Sequence, residues 1–224
     1  MLGDGGICVT VTSMKCSDRG NEYTLYTSLG KFRISAADYK SLGIPKSEDG
    51  ESVFPCDITV PGEDYLASLE NKLCAVKYLG YLLNFGDKSE KVLLSKLKEK
   101  EYDEETSLAA LELMKKFGIV NEEATCKRKV SRYAAEKMYG PRRIRQELMT
   151  KGFTSSAVNE ALGNTEVDFG ETLDALCKKL VTKTRITDRK KLTDRLIRSG
   201  YSYGEVKEAV NKYLEEAETD EYCE

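Results

Sequence analysis

The sequence predicts a mainly α-helical fold: tandem three-helix repeats, stacked on one another, behind a small antiparallel β-rich N-terminal domain. Three observations predict it. The hydrophobic period changes from two to about 3.6 near Pro61. A helix–aromatic turn–helix pattern then recurs three times, and glycines punctuate the helical part at Gly86, Gly118, Gly140, Gly152, Gly163 and Gly200.

Before Pro61, Ile7, Val9 and Val11 alternate with Cys8, Thr10 and Thr12, the mark of a strand. Asp18-Arg19-Gly20-Asn21 is turn chemistry. Tyr23 to Ser28 and Lys31 to Ser35 predict two more strands, a short helix is expected at Ala36 to Leu42, and Val53 to Val60 is extended. Three or four short strands are marginal alone, so this sheet is expected to pack on the helical part of the chain. After Pro61, Leu66, Leu69, Leu73, Val76, Leu79 and Leu83 mark one face of a long helix, and Phe169, Leu173, Leu176 and Leu180 mark another.

The repeat aligns Leu93-x3-Leu97-x4-Tyr102 with Ile144-x3-Leu148-x4-Phe153 and Leu192-x3-Leu196-x4-Tyr201. Nine residues after each aromatic stands Leu111, Leu162 or Val210. Directly after it stands Asp103, Thr154 or Ser202, each suited to a helix N-cap, with Glu205 completing a capping box on Ser202. Gly152 and Gly200 precede two of the aromatics and suit the residue just past a helix end. Each copy is a helix, an aromatic turn and a capped helix, completed by a long helix before it. About 50 residues bury too little to stand alone, so stacking is expected. The resulting boundaries are 1–62 for the β-rich domain, 63–120 and 121–165 for the first two repeats, and 166–224 for the third with an acidic tail.

Composition excludes several chemistries. There is no histidine, which removes His-based acid–base catalysis, Ser-His and Cys-His pairs and His-ligated metals. Seven cysteines without a CxxC give neither a zinc ribbon nor a thioredoxin-like motif; reduced core thiols in a cytoplasmic protein are expected, Cys126 among them. The longest uncharged stretch, Gly5 to Met14, is too short to span a bilayer as a helix, and no signal peptide is visible. Glu104-Glu105 and Glu122-Glu123 are read as helix starts rather than as catalytic pairs. No enzyme activity and no cofactor are expected.

The net charge of −3 hides a segregation. Residues 127–151 carry nine bases against two acids, and residues 178–198 repeat that balance, between acidic ends. Such a chain is built to meet something negative. The sharpest motif runs from Gly140 to Leu148: Pro141 suits a first helical position, and the free N–H groups there, with Arg142, Arg143 and Arg145, favour a docked phosphate or carboxylate. Lys127, Arg128, Lys129, Arg132, Lys137 and Lys151 extend this basic surface. Lys178, Lys179, Lys183, Arg185, Lys190 and Lys191 form its equivalent in the third repeat. Recurrence in successive units points to a long polyanion or an acidic groove as partner. The open alternative is a free-standing helical binder of nucleic acid; the 13 tyrosines are read chiefly as packing residues.

The run Gly140-Pro141-Arg142-Arg143-Ile144-Arg145-Gln146-Glu147-Leu148-Met149-Thr150-Lys151-Gly152-Phe153 resembles the central signature of the RecX family, regulators of the RecA recombinase. The third unit, through Lys178-Lys179, Asp188, Lys191-Leu192, Leu196 and Ser199-Gly200-Tyr201, is similar to the family's C-terminal repeat. In the first unit, Ser89-Glu90 with Leu93, Lys96-Leu97 and Lys100 resembles a further family stretch. The strands ending at Phe32-Arg33-Ile34-Ser35 resemble an extension found in part of the family. Two departures stand out. Gly118-Ile119-Val120-Asn121-Glu122 replaces a Gly-x-x-Asp-Asp pattern, and Glu101 replaces a glycine before Tyr102, which leaves that turn's geometry open. The resemblance implies an elongated, curved, monomeric array that binds the RecA–DNA filament and modulates it, most simply by inhibition. It also implies roles in DNA repair, recombination and the SOS response, with DNA met weakly or through RecA.

Overall fold

Alternating buried and exposed side chains build the N-terminal sheet. The computed structural model describes residues 6–182, 184, 186 and 188–221. Strands β1 (Ile7–Cys16), β2 (Glu22–Thr27), β3 (Gly30–Ser35) and β4 (Cys56–Val60) form one antiparallel sheet in the order β3-β2-β1-β4. Strand β1 runs four residues beyond the alternating stretch, and its pairing with β2 shifts register between Val11 and Ser13. Helix α1 (Ala36–Ser41) starts where the Ser35 hydroxyl caps the Asp38 N–H.

The chain forms two compact units, residues 1–86 with 93–120, and residues 87–92 with 121–224. In the first, Val9, Val11, Leu25, Ile34, Ile58 and Val60 form the sheet's buried face, and Tyr39 and Ile44 cover one side of it. The rest of the cover is the start of helix α2 (Tyr65–Asn84), through Leu66 and Leu69. Four short strands gain the apolar cover they need from this helix, where each fully buried Leu contributes roughly 1.5–3 kcal/mol. Lys72 pairs with Asp38, Lys77 with Glu22 at 2.6 Å and Arg33 with Glu70 at 3.1 Å, pinning the helix across the sheet. Farther along α2, Ala75 and Leu79 enter another core with Leu93 and Leu97 of helix α3 (Glu90–Glu99) and Ala110, Leu111 and Met114 of helix α4 (Glu104–Lys116).

The second unit contains helices α5 (Glu122–Lys137), α6 (Pro141–Thr150), α7 (Ser155–Gly163), α8 (Phe169–Thr182), α9 (Arg189–Arg198) and α10 (Tyr203–Glu221). One core gathers Cys126, Val130, Tyr133, Ile144, Leu148, Phe153 and Val158 from α5 to α7. Another gathers Leu173, Leu176, Cys177, Leu192, Leu196, Tyr201, Val206 and Val210 from α8 to α10, with Phe169 packed against both. The repeated aromatic plugs the core in two copies, Phe153 and Tyr201, and is half-buried in the third, Tyr102. Caps fall where the repeat places them: Asp103 and Thr154 accept from the N–H groups of Thr106 and Ala157, and Ser202 exchanges hydrogen bonds with Glu205. Among the described residues no helix is long and apolar enough to cross a membrane.

Candidate partner-binding surface

The corner between α5 and α6 is built from unusual backbone. Met138 ends α5 in the left-handed region at φ +53°, Gly140 is the N-cap of α6 and Pro141 its first residue. The turn between α9 and α10 seats on this corner. The Gly140 N–H donates to the Ser199 carbonyl at 2.8 Å, the Arg142 N–H donates to the Gly200 carbonyl at 3.2 Å, and the Tyr201 hydroxyl donates to the Met138 carbonyl at 3.1 Å. A Cβ placed on Gly200 would lie 2.4 Å from the Arg143 nitrogen, and one on Gly140 would lie 2.6 Å from the Gly200 carbonyl.

This corrects one expectation. The start of α6 is no open anion dock, because carbonyls of the same chain already occupy two of its N–H groups. The helix dipole there is satisfied internally.

A related contact, made by side chains, occurs at the equivalent place in the preceding repeat. A Cβ on Gly152 would lie 2.9 Å from the Ser89 hydroxyl and 3.6 Å from Val92, and the Ser89 hydroxyl donates to the Lys151 carbonyl at 2.9 Å. Ser89 to Val92 precede Gly140 to Arg143 by 51 residues, and Gly152 precedes Gly200 by 48, the two offsets of the repeat. Glu122 braces this joint: its carboxylate accepts from the Glu90 N–H at 2.8 Å and from the Thr154 hydroxyl at 3.1 Å. Neither role was read from the sequence. The small residue at Ser89, aligned with Gly140, was the available signal.

The three arginines of α6 part company. At about 100° per residue, Arg142 and Arg145 stand about 60° apart, each about 100° or more from the buried Ile144. Both are exposed and have no acid partner among the described residues. Arg143 lies more than about 90° from either. It pairs with Glu147 at 2.7 Å and sits 5.7 Å from the Tyr139 ring, against the Gly200 backbone. Exposed Met149 joins the Arg142–Arg145 stripe. On α9, Lys190 and Ile197 occupy the positions equivalent to Arg142 and Met149, and both are exposed.

The other cations divide as well. Arg128 donates to Asp87 and Thr125, Arg132 pairs with Glu136 along one side of α5, and Lys129 sits 5.8 Å from the Phe153 ring. Lys127 points about 140° away from Arg132. Lys137 and Lys151 flank the Tyr133 ring at 4.9 and 5.1 Å, Lys151 also bonding the Tyr133 hydroxyl. Lys178, Lys179, Lys190 and Lys191 are exposed, whereas Lys183 and Arg185 lie outside the described residues. Arg189, on Asn211, and Arg195 and Arg198 in the last turn of α9 add cations not singled out in the sequence.

The two thiols among the described residues of this unit are insulated. Burial pushes Cys126 and Cys177 up to about 11, so both are protonated near neutrality and pack as small apolar groups.

Comparison with known proteins bears on this architecture. The family model of the second three-helix domain of RecX matches residues 121–162, that is, α5 to α7. A regulatory protein RecX from Haemophilus ducreyi is 37% identical over 108 residues, 48% of this chain and 71% of that protein. One from Clostridioides difficile is 29% identical over 144 residues, 62% of this chain and 68% of that protein. A crystal structure of regulatory protein RecX superposes with a TM-score of 0.68 over 91% of this chain and 99% of the other, at 19% identity, and so shares the fold. With α5 to α7 matched by the family's own domain and a close relative covered over most of its length, the chain belongs to the RecX family of regulatory proteins.

Proposed function

We propose that this chain binds the RecA–DNA filament and inhibits its growth, acting as a partner-binding protein through the cations of its second and third helical modules. The modules are taken as residues 63–120, 121–165 and 166–224, behind the β-rich segment 1–62. The observation that carries the reading is the stripe of Arg142, Arg145 and Met149 on α6, with Lys190 and Ile197 at the matching positions of α9. These side chains are exposed, and the cations form no salt bridge among the described residues. Unpaired cations around an exposed apolar residue fit an acidic protein surface or a phosphate backbone, and their recurrence suits a partner that is itself a polymer.

Arg143 serves this surface indirectly, by holding the α6 start against the α9–α10 turn. The RecA partnership rests on family membership, and the basic stripe supports a contact through α6 and α9.

The test is RecA ATPase and strand exchange at rising concentrations of this protein. Inhibition that reaches completion near stoichiometry with filament ends or subunits is the expected result. Unchanged activity at excess would overturn the proposal. Binding to naked single strands with full strength, and without any effect on RecA, would point instead to a free-standing nucleic-acid binder.

A further inference from the structure

The C-terminal half of α2 carries three aromatic rings at helical spacing, Tyr78, Tyr81 and Phe85. Tyr81 and Phe85 are 57% and 67% exposed. The rings of Tyr78 and Tyr81 are nearly parallel, 17° between planes with centroids 6.4 Å apart, and Phe85 meets Tyr81 edge-on at 5.0 Å. Rings of this size gain much by burial; Tyr78 takes part of that gain against the core of Leu79, Leu93 and Leu97, whereas Tyr81 and Phe85 stand largely in water.

Acids are absent from the ridge's own helical turns, with Asp87 following them and Glu99 and Glu101 flanking Lys100 in the sequence. From Asn71 through Gly86 the chain carries no acid. The Lys100 ammonium lies 5.8 Å from the centre of the Tyr78 ring, with no acid partner among the described residues. Lys96, one turn earlier on α3, pairs with Glu99 at 2.6 Å. Exposed rings beside an ammonium that has no acid partner are what sequence-tolerant recognition of unpaired bases uses, the rings stacking and the cation meeting phosphate. An apolar protein groove would take the rings but has no use for the lysine.

We infer that the Tyr78–Tyr81–Phe85 ridge of the first unit is a stacking platform for the bases of single-stranded nucleic acid, with Lys100 on its phosphate. This site is separate from the cations of α5 to α9 and stands or falls without them.

The chain has 13 tyrosines and no tryptophan, so its intrinsic emission reports stacking directly. Titration of the whole protein with oligothymidylate should quench that emission. The double variant Tyr81→Ala with Phe85→Ala should bind about tenfold or more weakly, at unchanged far-UV circular dichroism, since both rings are exposed. Tyr81→Phe should bind as the parent does, and Tyr81→Leu, apolar but without a π face, should not. Lys100→Gln should lower the slope of log affinity against log salt by about one. Unchanged affinity in the double variant, or full binding by Tyr81→Leu, would overturn the inference whatever the outcome with RecA.

Discussion

Glu101 occupies the turn position that Gly152 and Gly200 hold in the other two copies, and it takes the same left-handed backbone, at φ +63° against +82° and +101°. The turn is therefore kept, with a side chain where the family resemblance led one to expect glycine. A non-glycine residue in this region is strained by roughly 1–2 kcal/mol. Glu101→Gly is expected to raise stability by about 1 kcal/mol in urea unfolding, after the entropy that glycine adds to the unfolded chain. Two N-cap carboxyls act at the same scale. Thr106, through its N–H and hydroxyl, holds Asp103 below the ordinary carboxylate range, and the Lys191 N–H does the same for Asp188. A depressed folded value means stability present in full above the unfolded carboxylate value, near pH 4, and lost as pH falls through the lower folded one. Asp103→Asn keeps the capping oxygen but cannot titrate there, so its unfolding free energy should decline less between pH 5 and pH 2 than the parent's.

Among the elements, α6 shows what patterning conveys and what it omits. Pro141 after Gly140, with Ile144 and Leu148 four apart, announces a helix start and a buried face, and both are found. Patterning could not tell Arg143 from Arg142 and Arg145, because the difference lies in Gly200, 57 residues onward, and in Tyr139 on the preceding turn. The strands were legible for the same local reason, whereas the docking of α2 across them depends on Lys72, Lys77 and Glu70 finding partners some 30 to 55 residues earlier. The division of labour in α6 is open to measurement. Arg142→Ala with Arg145→Ala should weaken inhibition of RecA with unchanged thermal stability, whereas Arg143→Ala should lower the melting temperature. Gly200→Ala is the sharper probe of the joint. It should cost about 2 kcal/mol or more beyond Gly118→Ala, which shares a positive φ but has open space around it. Equal costs for the two would remove the close contact from the account.

For the molecule as a whole, charge separation matters more than the modest net value. Acid-rich ends flank two stretches of nine bases each, the distribution on which the proposed contact with a polyanion relies. Inhibition of RecA should accordingly fade as salt rises, with a log–log slope that becomes shallower when Lys178, Lys179, Lys190 and Lys191 are changed to Gln. A slope indifferent to all four would place the contact elsewhere. The overall balance of sheet and helix was readable because both periods are strong and cleanly separated near Pro61. The joints were not, since each depends on a glycine whose missing side chain leaves room for residues about 60 positions away in the chain.

Those joints have direction: a helix beginning always enters, and a bare glycine always receives. At position 101 the equivalent turn keeps the left-handed backbone with a glutamate in it, so two of the three repeated turns present a bare glycine to an arriving helix start and the first does not.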